Sequence, residues 1–96
     1  MEINRNKFGF LGWNNSAGHD KIWGFIETSQ GVFGFWGRRK GKLSFKEYPS
    51  TWDAHDIANQ KERKGYRGTD VSVLPTDFEG QLMFACLGMV KFGIDK

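Results

Sequence analysis

Trp36, Gly37 and Arg38 stand in succession, and Arg39, Lys40, Lys42 and Lys46 follow within the next eight positions. An indole face can stack on a base or a sugar. A glycine lets the backbone come close, and a guanidinium offers a planar fork to a phosphate. Together these residues suit contact with a phosphodiester chain. The same tripeptide also suits a core tryptophan at a strand end followed by a turn. For an isolated tripeptide that is the commoner outcome, because a small domain needs its tryptophans for burial.

The charge distribution adds a second observation. The chain of 96 residues carries a formal net charge of +3, but between Trp36 and Gly68 nine basic residues stand against four acidic ones, leaving −2 for the remainder. Lys61, Arg63, Lys64 and Arg67 form the second basic cluster of that stretch. Such separation is the footprint of a polyanion-binding face, although a solvated charged surface produces it too.

Other chemistry finds less support. His19 with Asp20, and His55 with Asp53 and Asp56, fall on different elements, and no second pair has metal-ligand spacing. Cys86 lies within an apolar stripe, where an inert buried thiol is the default. No glycine pattern has the strand-then-helix context of a phosphate loop. The expectation is a protein without catalytic residues, metal or cofactor. A lone cysteine and the lack of a signal-peptide succession fit a reducing, cytoplasmic setting, and the longest mostly apolar run, Leu82 to Val90, falls short of the roughly 20 residues that cross a bilayer.

The elements that must carry the basic and aromatic residues are legible in outline. The length fits one domain, residues 1 to 96, with a small aromatic core. "NKFGFLGW" reads as a short strand before the polar loop "NNSAGHD". Ile22 to Thr28 and Val32 to Trp36 read as a hairpin. "GKLSFKEY" alternates Leu43 and Phe45 against Lys42, Ser44 and Lys46, which predicts a half-buried strand with a basic outer face. "STWDAHDIANQKERKGY" has helix punctuation: Ser50 or Thr51 as cap, Asp53 at the positive end, Lys61, Arg63 and Lys64 at the negative end, and Gly65 as stop. Its apolar stripe is narrow, with Ala54, Ile57, Ala58 and the Lys61 stem packing on a sheet. Trp13, Trp23 and Trp52 are expected in the core or on the sheet face.

Beyond "RGTDVSVLP", Thr76 and Glu79 stand at capping-box spacing before a stripe of Phe78, Leu82, Ala85, Cys86 and Met89. That predicts a helix, although the Gly88 and Phe92 end would equally suit a strand. Met83, Leu87 and Val90 make its other face apolar as well. Such a segment either completes the core or forms a two-fold dimer, so the chain is expected as a monomer or a homodimer through this segment.

The order of "KFGFLG", "HDKIWGFIE", "FGFWGRRKGKLSFKEY" and "STWDAHDIANQKERKGY" resembles that of WGR domains, modules found in some poly(ADP-ribose) polymerases and in bacterial proteins. Lys21 with Ile22 and Trp23, the Trp36-Gly37-Arg38 tripeptide, and Lys64-Gly65-Tyr66 fall at the family's places. The resemblance covers about residues 7 to 67 and leaves 69 to 96 as an extension. It implies an α+β fold, a small twisted antiparallel sheet with one helix across it, plus the C-terminal helix. It also implies sequence-nonspecific binding to the sugar-phosphate backbone of DNA, at strand ends or breaks.

By the same resemblance Trp36 would pack on a terminal sugar or base, with Gly37 beside it, and Arg38 would hold the backbone or a neighbouring domain. Lys21 would approach a phosphate, and Lys61, Arg63, Lys64 and Tyr66 would extend the contact. Arg39, Lys40 and Lys42 complete the candidate surface. Two other readings fit these residues: a protein-interaction module or inhibitor that meets an acidic partner, and a binder of RNA or single strands.

Overall fold

A computed structural model of the protein describes residues 8–16, 18–28 and 31–85. Its framework is one antiparallel sheet of five strands: β1 (Phe8–Asn14), β2 (Lys21–Thr28), β3 (Gly31–Arg38), β4 (Leu43–Tyr48) and β5 (Arg67–Gly68). They are ordered β4-β3-β2-β1-β5. Helix α1 (Thr51–Arg63) lies between β4 and β5 in the chain, and α2 (Phe78–Phe84) follows a short 3-10 turn at Val71–Val73. The fold is therefore α+β, as the sequence implies.

The path of α1 follows from the strand order. The chain leaves one edge of the sheet at Tyr48 and must reach the other edge at Arg67. Four inter-strand spacings span roughly 19 Å. A helix of 13 residues spans roughly 20 Å. One helix thus bridges the sheet from edge to edge.

Its ends are set by local chemistry. Ser50 is the N-cap, its hydroxyl accepting the Asp53 N–H. At the other end Gly65 takes a φ of 105°, which favours glycine. Its N–H donates to the Glu62 carbonyl while the Tyr66 N–H reaches back to Lys61. That pair of bonds is the Schellman turn, and it folds Tyr66 back against the last turn of α1.

The sheet is covered on both faces. On one, Ala54 and Ala58 of α1 pack with Trp23 and Phe25, flanked by Phe10, Val32, Tyr48, Ile57 and Tyr66. On the other, Ile22, Ile26, Phe33 and Phe35 pack with Val73, Leu74, Phe78, Leu82 and Ala85. The C-terminal segment therefore completes the core. Gln81 ties it to the turn before β4, its side-chain oxygen accepting the Leu43 N–H at 2.8 Å and its amide donating to the Gly41 carbonyl at 3.4 Å.

Three expectations are corrected. Trp52 is 79% exposed rather than part of the core or sheet face. At 100° per residue, position 52 lies opposite the inward Ala54. Thr76 does not cap α2. The helix starts from Asp77, which makes no side-chain cap bond because its carboxylate accepts from Gln81 four residues on. Finally, β5 and the 3-10 turn occupy "RGTDVSVLP", where the sequence predicts no element. From Phe78 to Phe84 the predicted helix is present, while Cys86, Leu87, Met89 and Val90 lie outside the described residues.

Candidate functional site

The strand register decides which side chains share the α1 face. Lys21 pairs with Arg38 and Trp23 with Trp36 across β2 and β3; Trp36 pairs with Ser44 and Gly34 with Lys46 across β3 and β4. Because paired residues lie on one face and alternate residues return to it, Lys21, Trp23, Arg38, Trp36, Lys46 and Tyr48 all belong to the side that carries α1. Along this face α1 covers Trp23 and Phe25 but leaves Trp36 37% exposed.

The uncovered part is a groove of ≈ 650 Å³. The sheet lines it with Lys21, Ile22, Trp23, Trp36, Gly37, Arg38, Lys46 and Tyr48, and Ile57 and Lys61 of α1 and Tyr66 complete the lining. Four of these residues are cations, Lys21, Arg38, Lys46 and Lys61, and no acidic residue lines the space. Among the described residues none of the four has an ion pair; the one salt bridge there joins Arg39 to Asp20. Unpaired positive charge around a recessed apolar floor raises the local potential and favours a polyanion.

Two cations lie against aromatic rings. Lys46 Nζ is 5.4 Å from the Tyr48 ring centre, and Lys61 Nζ is 5.8 Å from that of Tyr66, the contact that the Schellman turn makes possible. These contacts restrain two long side chains. Burial raises the pKa of both tyrosines above the ordinary value of 10.0, so their hydroxyls remain protonated donors at neutral pH. Trp36 has no stacking partner among the described aromatic residues, whereas Trp23 packs against Phe10 and Phe25.

Gly37 has a structural reason to be glycine. Its φ is 152°, and a Cβ there would meet the Lys42 carbonyl at 3.0 Å and Leu43 at 3.1 Å. The strand can then carry Trp36 and Arg38 on the groove side while β4 passes close beside it.

Six of the eleven sequence-predicted residues come together here: Lys21, Trp36, Gly37, Arg38, Lys61 and Tyr66. The other five do not line the groove. Arg39 donates from Nε to Asp20 at 2.9 Å and lies 5.2 Å from the Trp13 ring, while Trp13 Nε1 donates to the same carboxylate at 2.8 Å. Asp20 thus commits Arg39 to the β1–β2 loop. Lys40, at a φ of 61°, gives its N–H to the Val73 carbonyl and borders a second cavity beside Phe78. Lys42 is exposed in the turn before β4. Arg63 and Lys64 are exposed at the end of α1, where the Lys64 carbonyl accepts from Asn14 Nδ2 at 3.4 Å.

Tyr48 and Ile57 carry no signal of the site in the sequence, Lys46 stands there only as part of the basic run after the tripeptide, and Trp23 is expected in the core or on the sheet face. Lys46 was legible as the outer face of β4; its meeting with Trp36 depends on the hairpin register.

Among the described residues no group of His, Cys, Asp and Glu could hold a metal ion, and no helix is long and apolar enough to cross a membrane. No protein-family model, curated protein or solved structure matches the chain.

Proposed function

We propose that the groove binds DNA without sequence specificity and without catalysis, holding the sugar-phosphate backbone and using Trp36 as a stacking platform. The observation that carries this reading is the convergence of four cations, without ion pairs among the described residues, on a recess that also exposes an indole. Lysine and arginine hold phosphates whatever the bases are. Stacking on an aromatic face is similarly tolerant, since every base has a π-face. The resemblance to WGR domains leads to the same ligand and adds a preference for strand ends or breaks.

A basic face directed at an acidic protein remains the competing reading. The exposed indole favours nucleic acid, because a rim of lysines alone would serve for charge complementarity.

The test is a fluorescence-anisotropy titration of the purified chain with linear duplex DNA and with closed circles in competition. Linear DNA should bind more tightly than circles, and Trp36→Ala should reduce the difference. Equal binding of both forms by the parent and the variant would remove the end preference. Absence of binding to either form would turn the groove over to a protein partner.

A further inference from the structure

The direction in which the groove continues past Trp36 bears on the form of DNA that it takes. Lys46 stands opposite Gly34, two residues along β3 from the position of Trp36, or about 7 Å, which is close to one step of a stretched nucleotide strand. Tyr48 is the next residue of that face along β4, and its ring leans back over Gly34, with Lys46 Nζ 5.4 Å from the ring centre. Across from them the groove is closed by Ile57 and Lys61 of α1. Amine and phenol thus lie side by side, one strand step from the indole, in a single strip of the groove.

In a duplex the face of each base is covered by its neighbours in the stack. An indole recessed in a groove therefore meets a base face only where pairing and stacking are broken. A blunt end would satisfy Trp36 alone, and the strip beyond it would stay unused. We infer that the groove takes an unpaired stretch of DNA strand, in which Trp36 stacks on one base while Lys46 and Tyr48 hold the backbone of the adjoining nucleotide. This inference rests on the nucleic-acid reading above and deepens it by naming the form of the ligand.

The volume agrees with that ligand. A recess of ≈ 650 Å³ lies within the range of about 300 to 1,000 Å³ usual for ligand sites. Tyr48 and Lys61 each offer a donor to a groove whose lining holds no acidic residue.

The probe is a labelled oligothymidylate of about ten nucleotides, compared with a blunt duplex of the same length. The single strand should bind several-fold more tightly, because both probes can stack on Trp36 but only the single strand also engages Lys46 and Tyr48. Lys46→Gln, an exposed replacement checked for unchanged circular dichroism, should weaken the single strand several-fold and lower its salt slope by about 0.7. Equal or tighter binding of the blunt duplex would overturn the inference and leave backbone binding standing. Single-strand affinity and slope untouched by Lys46→Gln would overturn the strip. Failure of both probes to bind would remove the parent reading as well.

Discussion

Trp23 and Trp36 stand directly opposite each other on β2 and β3, yet Trp23 is 2% exposed and Trp36 is 37% exposed. The difference arises from α1, whose Ala54 and Ala58 pack with Trp23 while its course across the sheet leaves Trp36 uncovered. Two tryptophans in one register pair therefore differ in burial, and under the proposed function they predict different failures. Trp23→Ala should cost roughly 3 to 5 kcal/mol of stability. Trp36→Ala should retain most of its stability and lose about tenfold or more in DNA affinity. Urea denaturation and anisotropy on both variants check the pair; loss of folding in Trp36→Ala would make it a core residue.

The C-terminal segment is predicted to be part of the fold. Leu82 is 0% exposed and packs with the sheet face opposite α1. Leu82→Ala should lower stability by about 2 to 5 kcal/mol, seen as a shifted denaturation midpoint with little change in its slope. A folded, soluble monomer after deletion of residues 76 to 96 would contradict this role.

Asp20 gives the stability an acid limb. The hydrogen bond from Arg39, then that from Trp13, lowers its pKa below the ordinary 3.8. A folded-state pKa below the unfolded one adds stability that is present above the unfolded value, about 3.9, and is lost as pH falls through the lower folded value. Asp20→Asn should reduce the loss of stability below about pH 4, and thermal melts from pH 6 to pH 2.5, values taken as approximate bounds of that window, would show it. An acid limb identical in parent and variant would place the titration elsewhere.

Most of the framework could be read from periodicity. The alternation of Leu43 and Phe45 with Ser44 and Lys46 fixed a strand with a basic outer face, and Ser50, Gly65 and the Ala54, Ile57, Ala58 stripe fixed α1 and its packing side. β5 escaped because two residues carry no period. Trp52 lies outside because the helical angle turns it away from Ala54, which outweighs the need of a small domain to bury tryptophan.

The site was legible only in part for a different reason. Trp36, Gly37 and Arg38 are contiguous, but Lys46 and Tyr48 reach them through inter-strand register, and Tyr66 through the turn at Gly65. Conversely, Arg39 is adjacent to the tripeptide in sequence and is drawn away by Asp20, a residue 19 positions earlier. Counting local charge cannot separate such cases, because the partners that decide them are distant in the chain.

Gly37 is predicted to hold the tripeptide in place. With its φ at 152° and the Lys42 carbonyl 3.0 Å from a built Cβ, Gly37→Ala should destabilise the protein by more than about 1 kcal/mol. Chemical denaturation measures this directly, and an unchanged midpoint would show that the β3–β4 turn relaxes freely.

If Lys21, Arg38, Lys46 and Lys61 act together on the phosphates of one strand, DNA affinity must fall with salt in proportion to their number. The parent should give a slope of log K against log salt of about −3 on single strands, since each neutralised phosphate contributes about 0.7. Lys21→Gln, Arg38→Gln, Lys46→Gln and Lys61→Gln should each flatten that slope by about the same amount, whereas Lys42→Gln, outside the groove, should leave it unchanged. A slope near zero, or one that none of the four replacements alters, would contradict the claim.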